Sequence, residues 1–350
     1  MTVVVKFGSS LIAGRGGSVR RSVLRRRARE IAGIVGGGEP VAVVSSGAIA
    51  LGLPHLGLSR RPRTVPRLQA ASALGQARLQ RVWEQALRPH GLHAAQILLT
   101  ASDVADRAAY VNARNALHAL FALRAVPIVN ENDATATDEI TFGDNDALAA
   151  QVAVLVRARL LVLLTEVEGV YTHAPGTPGA ELLSEGAGVG EAVMGAGSTL
   201  GSGGMRSKVL AAEMAAAAGI STVIASGVGE SVLEPILAGE PRGTRFQPAG
   251  QELPAFKLWL RFGKPVSGRL FLDHGARRAV ADEGASLLAV GITSWDGKFE
   301  AGDAVELVGP DGVPIGKGIA SAAASELAGR PRGVEAVHRD RLVLYPDYNL

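Results

Sequence analysis

Six short apolar runs, at residues 3–7, 41–45, 94–99, 126–130, 160–165 and 222–225, alternate with helix-period segments at 19–36, 67–88, 110–123, 145–157 and 205–218. The runs are rich in Val, Leu and Ile and lack polar alternation, so they read as strands buried on both faces. Strands of this kind alternating with helices form a mainly parallel open sheet between two helical layers, a three-layer αβα sandwich. Ligands of such a fold bind outside the carboxyl ends of the strands, in the turns that lead into helices. Those turns are where the chemistry of this chain is to be sought.

The alternating pattern holds over 1–250, which reads as one α/β domain. Residues 251–267 read as a linker region, and 268–350 as a small, mostly β domain. Short alternating segments at 257–262, 268–272, 304–308, 315–320 and 342–345 support that reading, with Asp-Gly and Gly-Pro turns between them. At 350 residues and 47% hydrophobic composition the chain can bury two cores. It has no cysteine, which excludes disulfides, Cys-ligated zinc and thiol catalysis. The N-terminus lacks a signal-peptide pattern, and no apolar stretch approaches the ~20 residues of a membrane span, so the expectation is a soluble, cytoplasmic protein without a membrane partner.

The net charge is only +3. The densest basic run is Arg20, Arg21, Arg25, Arg26, Arg27 and Arg29, but Val19, Val23, Leu24, Ala28, Ile31 and Val35 recur at helical spacing through it. The arginines therefore read as the solvated face of an amphipathic helix rather than a nucleic-acid patch.

Lysine usage is more telling. The chain has six lysines against thirty arginines, and only Lys6 and Lys208 fall within the first 250 residues, beside 22 arginines. Lys is a compact point charge and Arg a planar fork, so the two do not exchange freely where one ammonium must approach a phosphate. Lys6 ends the first strand and precedes Phe7, Gly8, Ser9 and Ser10, where exposed N–H groups suit phosphate oxygens. Lys208 follows the glycine-rich stretch 201–204 and opens a helix, without the spacing of a Walker A loop. Together they suggest two ammonium groups flanking a polyphosphate.

Two polar loops supply the second clue. Asn130, Glu131, Asn132 and Asp133 follow one buried strand, and Gly143, Asp144, Asn145 and Asp146 open the next helix. One Asp or Asn there would be a plain helix cap; the concentration in two neighbouring loops is better explained by a polar amino-acid substrate. Asp146 would orient the lysines or a metal, and Asp133 would meet a substrate ammonium. Ser45 and Ser46 before Gly47 suit a carboxylate or a phosphoryl group, and Thr165 with Glu166 marks another strand end in the crevice.

In this order the pieces resemble the amino acid kinase superfamily and, within it, the glutamate 5-kinase family. The resemblance is carried by 4–10, 45–50, 130–134, 142–146, 164–166 with 169–172, and 203–208, and covers nearly the whole chain. The tail, with 282–288 and 297–303, resembles a PUA domain. The resemblance implies transfer of the γ-phosphate of ATP, with Mg²⁺, to the side-chain carboxylate of L-glutamate, the first step from glutamate to proline. It implies catalytic roles for Lys6, Asp146 and Lys208, and ATP binding by Lys6, Gly8, Ser9, Thr165, Glu166, Ser202, Gly203, Gly204, Met205, Arg206, Ser207 and Lys208. It places Ser46, Asp133 and Asn145 on glutamate, names no protein ligand for the metal, and implies a homo-oligomer and proline as a feedback inhibitor. The family often has Asp at Glu166 and a small polar residue at Arg206. Two alternatives remain. One is a related kinase with another acceptor; the other is an RNA-binding PUA protein, against which the nearly balanced charge of the tail and its lack of a clear aromatic platform argue.

Overall fold

The computed structural model describes the chain except residues 59, 101–102, 105, 136–143, 187–188, 190–203, 250–252, 265, 330 and 346–350. It divides into two compact units, Met1–Glu252 and Leu253–Leu350.

The first unit is built on a seven-stranded sheet. Its strands are β1 (Thr2–Phe7), β2 (Val41–Ser45), β3 (Ala94–Leu99), β4 (Val126–Glu131), β5 (Ala158–Thr165), β6 (Ser221–Ser226) and β7 (Thr244–Phe246), in the order β3-β4-β2-β1-β5-β6-β7. All the pairings among β1 to β6 are parallel. Every residue of β1 is buried, as its run of valines requires of a central strand. After β2 and β4 are laid on one side of β1, the chain returns to its other side with β5. The crevice at the carboxyl end of β1 is thus a topological switch point, where such sheets bind ligands.

One face is covered by α2 (Arg21–Gly36) and α4 (Val65–Leu87), whose Val23, Leu24, Ile31, Leu79 and Trp83 pack on Val3, Val5, Phe7, Val43 and Ile128. Before them come the short helices α1 (Ser9–Ile12) and, between β2 and α4, α3 (Ala48–Gly52). The other face carries α6 (Asp144–Leu155) and α7 (Gly204–Ala217), which pack on each other and on β5. α5 (Arg107–Ala122) precedes β4, and α8 (Leu233–Leu237) follows β6. Among the described residues no helix is long and apolar enough to cross a membrane.

Three expectations change. The run 94–99 is not buried on both faces, because β3 lies at the sheet edge and only Leu99 in it is fully buried. The sheet also has an antiparallel member, β7, whose three residues are too few to show a period. The third concerns Arg27, which is fully buried rather than on the solvated face of its helix. It pairs with Glu30 at 2.8 Å and donates to the carbonyls of Gly229 and Glu230, while Glu30 accepts from the N–H groups of Val232 and Leu233. This buried pair ties α2 to the loop after β6. Burial still lowers the Arg27 pKa, the Glu30 charge offsetting only part of that cost.

The second unit holds a six-stranded sheet of β8 (Val266–Leu272), β9 (Leu287–Leu288), β10 (Ile292–Gly297), β11 (Ala304–Val308), β12 (Pro314–Ala320) and β13 (Glu335–Leu344). β8 and β11 pair in parallel and the remaining pairs are antiparallel. Leu270, Leu272, Val305, Leu307, Ile315 and Val337 form its core. The segment 257–262 is helical rather than extended: α9 (Ala255–Leu258) runs on as a π-helical turn, Trp259–Gly263. Leu260 then drops into a cluster with Ala304, Ile319 and Val343. The turn also brings Phe256 and Trp259 together at 5.6 Å, an aromatic pair that strand spacing would have kept apart.

Candidate active site

Lys6 is the penultimate residue of β1, and strand alternation sends it and Phe7 to opposite faces. Phe7 packs edge-on against Trp83 of α4 at 4.8 Å. Lys6 forms an ion pair instead with Asp146, in the first turn of α6, at 2.6 Å. The second oxygen of Asp146 accepts from Lys208 Nζ at 3.1 Å and from Ser207 Oγ at 2.8 Å, both in the first two turns of α7. Lys208 Nζ also donates to the Gly204 carbonyl at 3.0 Å. Lys6 and Lys208 are buried, and Asp146 is 1% exposed.

One carboxylate therefore holds two ammonium groups, from three different elements, and among the described residues this trio carries one more positive charge than negative. Burial pushes the Lys6 pKa down, the Asp146 charge offsets only part of this, and the Lys208 charge adds to the depression. Asp146 would be raised by burial, but Lys6 and then Lys208 outweigh it and hold the carboxyl below the usual range. A buried excess positive charge is costly unless an anion meets it. An arrangement of this kind can chemically accept an anion.

Gly8 follows directly, capping α1 in an ordinary extended conformation. A Cβ there would meet only the Leu164 carbonyl, at an unstrained 3.5 Å, and one on Gly204 would meet nothing within 4 Å. Among the described residues neither packing nor backbone strain requires glycine at these positions. Ser9, Gly204 and Arg206 are exposed and Met205 is half-buried. Ser202 and Gly203 lie outside the described residues. Thr165 ends β5, and its carbonyl accepts from Gly227 N–H at 2.8 Å. Glu166 pairs at 2.6 Å with Arg20, which also donates to the Ser10 carbonyl at 2.8 Å. Arg20 thus links α1 to the turn after β5, a role its place in an arginine run hid.

On the other side of β1, Ser46 follows β2 and is buried, its N–H donating to the Phe7 carbonyl at 3.2 Å. Gly47 then takes φ 105°, which a side chain would resist, to start α3. Ser45 is committed to the core, accepting from Trp83 Nε1 at 2.9 Å. Asn145 precedes Asp146 in α6 and has a buried Oδ1 with no hydrogen-bond partner among the described residues. Asp133 is buried and accepts from Ser72 Oγ at 2.5 Å. Burial pushes its pKa up, against the Ser72 hydrogen bond and the Arg61 charge. Asn130 donates to Gln76 Oε1 at 2.8 Å.

Ser72 and Gln76 were missed by sequence reasoning. A signal existed: the buried face of α4 reads Leu68, Ala71, Ser72, Gly75, Gln76 and Leu79, and two of these are polar in an otherwise apolar stripe. That face reaches the crevice because α4 crosses α3 closely. A Cβ on Gly52 would lie 1.8 Å from the Ala71 carbonyl oxygen, and one on Gly75 would lie 1.8 Å from that of Ala48. Among the described residues no group of three or more His, Cys, Asp or Glu side chains is placed to hold a metal ion.

Comparison with known proteins shows the family. The profile of the Amino acid kinase family matches residues 1–226, and that of the PUA domain matches residues 268–339. The chain is 43% identical to a glutamate 5-kinase of Syntrophotalea carbinolica, over 98% of this chain and 96% of that protein. It is 41% identical to one of Geobacter sp. and 42% to one of Burkholderia multivorans, each over 98% of this chain and 97% of the relative. A crystal structure of isopentenyl phosphate kinase shares the fold: TM-score 0.50 at 21% identity, over 71% of this chain and all of that one.

Proposed function

Since the chain belongs to the amino acid kinase family and carries a PUA domain behind its kinase domain, we propose that it is an ATP-dependent glutamate 5-kinase. It moves the γ-phosphoryl group of ATP to the side-chain carboxylate of L-glutamate, giving L-glutamyl 5-phosphate and ADP, the first step of proline biosynthesis. The observation that carries the phosphoryl-transfer part is the Lys6–Asp146–Lys208 cluster at the switch point of the sheet. The acceptor is read from the relatives, which are glutamate 5-kinases along their full length.

The chemistry suits these residues. A carboxylate is a nucleophile at neutral pH, so no general base is needed and no proton moves. One of its oxygens bonds to the γ-phosphorus while the bond to the β–γ bridging oxygen breaks and ADP leaves. What must be overcome is repulsion between two anions, and catalysis of this step is mostly positioning and charge stabilisation. Lys6 and Lys208 meet the oxygens of the moving phosphoryl group, and Asp146 keeps their ammonium groups apart and oriented. Gly8 and Ser9 after β1 and the segment 202–208 receive the phosphates; the missing Cβ of Gly8 and of Gly204 leaves the backbone open to close approach. Thr165 and Glu166 lie on the nucleotide side. Ser46, Asp133 and Asn145 hold glutamate, with Asp133 facing its ammonium group. With no protein cluster for a metal among the described residues, Mg²⁺ would be held mainly by the nucleotide, where it would supply further charge neutralisation beside Lys6 and Lys208.

The same reading makes the chain a cytoplasmic homo-oligomer subject to feedback by proline at the glutamate site. Oligomerisation is supported by the outer strand β3, which among the described residues has no strand neighbour on one side, and by α5, in which only Leu117 is fully buried. The decisive assay is trapping of the acyl phosphate with hydroxylamine over a panel of acids. Hydroxamate from glutamate with ATP is expected; hydroxamate from aspartate or acetylglutamate but not glutamate would overturn the acceptor.

A further inference from the structure

Helix α4 enters the crevice with two polar side chains that the phosphoryl transfer does not use. Ser72 and Gln76 are four residues apart, hence on one face and one turn from each other, and both are buried. Each is engaged with a polar residue at or just after the end of β4: Ser72 with Asp133, and Gln76 with Asn130.

The second pair is incomplete. Gln76 Nε2 and Asn130 Oδ1 are buried and have no hydrogen-bond partner among the described residues. Turning over both amides does not remove the deficit, since Gln76 Oε1 and Asn130 Nδ2 would then be left. In either orientation the pair offers one donor and one acceptor. Buried polar groups left open are unfavourable, so a ligand that supplies both partners gains by binding there. An α-amino acid head does so, because its ammonium donates and its carboxylate accepts. Asp133, held by Ser72 one turn of α4 from Gln76, adds the negative charge an ammonium needs, and Ser72 fixes the rotation of that carboxylate.

We propose that α4 is the specificity-determining element for the amino-acid head of the acceptor. Gln76 with Asn130 reads ammonium and carboxylate together, and Ser72 is a positioning residue that holds Asp133 for the ammonium. The inference rests on glutamate as acceptor and adds the residues that distinguish it from a simpler acid.

Steady-state kinetics of the full chain with three acceptors test it. Glutarate keeps both carboxylates of glutamate but lacks the ammonium; 4-aminobutyrate keeps the ammonium and the reacting carboxylate but lacks the α-carboxylate. Gln76→Glu lets Asn130 Nδ2 keep its hydrogen bond but replaces the spare donor of the pair with an acceptor. It is expected to raise the KM for glutamate about tenfold, with kcat and the KM for ATP within about twofold, and to leave 4-aminobutyrate unaffected. Ser72→Ala should cost about tenfold in kcat/KM for glutamate but spare glutarate, and Ser72→Thr should restore it. If a variant turns over too slowly, the same contrast is expected in Kd by calorimetry without ATP. A loss equal for all three acceptors, or none, would overturn the proposal. A wild-type chain that turns over no glutamate would instead strike at the acceptor itself, and the proposal would fall with it.

Discussion

Asp146 is the residue on which the site turns, because among the described residues it alone pairs with both buried ammonium groups. Replacing it with Asn leaves those charges facing each other, and breaking a buried ion pair from one side costs about 3–5 kcal/mol. Urea unfolding of Asp146→Asn is expected to show a loss of that order without nucleotide and a smaller one with ATP, whose phosphates take over as counter-charge. A deficit unchanged by ATP would mean that the polyphosphate binds elsewhere. Lys6 gives a pH dependence. Burial holds its pKa below 10.5, so between that lowered value and 10.5 the unfolded chain binds more protons. Its contribution to stability therefore rises with pH across the window, while activity falls there as the ammonium is lost. The alkaline limb of kcat/KM for ATP should lie below pH 10.5, and a limb at or above it would contradict the burial of Lys6.

At the scale of elements, the α3–α4 crossing decides whether the polar face of α4 reaches the loop after β4. Gly75→Ala puts a methyl group into the Ala48 carbonyl, a backbone atom that cannot turn aside. Overpacking of this kind costs about 3 kcal/mol. Thermal unfolding should show that loss, and the KM for glutamate should rise more than the KM for ATP, because Ser72 and Gln76 move while Lys6 and Lys208 do not. Equal changes in both would place the crossing outside acceptor binding. The elements themselves were legible in the sequence: the valines of β1 and the 3.6-residue period of α2 and α4 are strong local signals. What was hidden depends on partners distant in sequence. Arg27 looks like its neighbours until Glu30 and the carbonyls of Gly229 and Glu230 close around it. Gln76 looks like a helix surface residue until Asn130 arrives from β4. The three residues of β7 carry no period, and the exposure of β3 follows from strand order, which alternation alone does not give.

At the scale of the whole molecule, every group placed at the candidate site belongs to Met1–Glu252, and Leu253–Leu350 has a core of its own. A chain ending at residue 249 is therefore expected to fold and to keep kcat for glutamate within about threefold, since no catalytic charge is removed. A tenfold fall would show that the PUA unit takes part in turnover. The lysines and their glycine neighbours were readable because the chain otherwise fills cationic positions with Arg; the acceptor was readable only through resemblance. The central claim is that two compact ammonium charges, held apart by Asp146, steady the phosphoryl group in flight. It is tested most directly by the single-turnover rate of phosphoryl transfer from ATP to glutamate in wild type, Lys6→Arg and Lys208→Arg. Because the guanidinium keeps the charge but not the compact geometry, both variants should slow by about 100-fold or more with folding intact. Rates within twofold of wild type in both would contradict it.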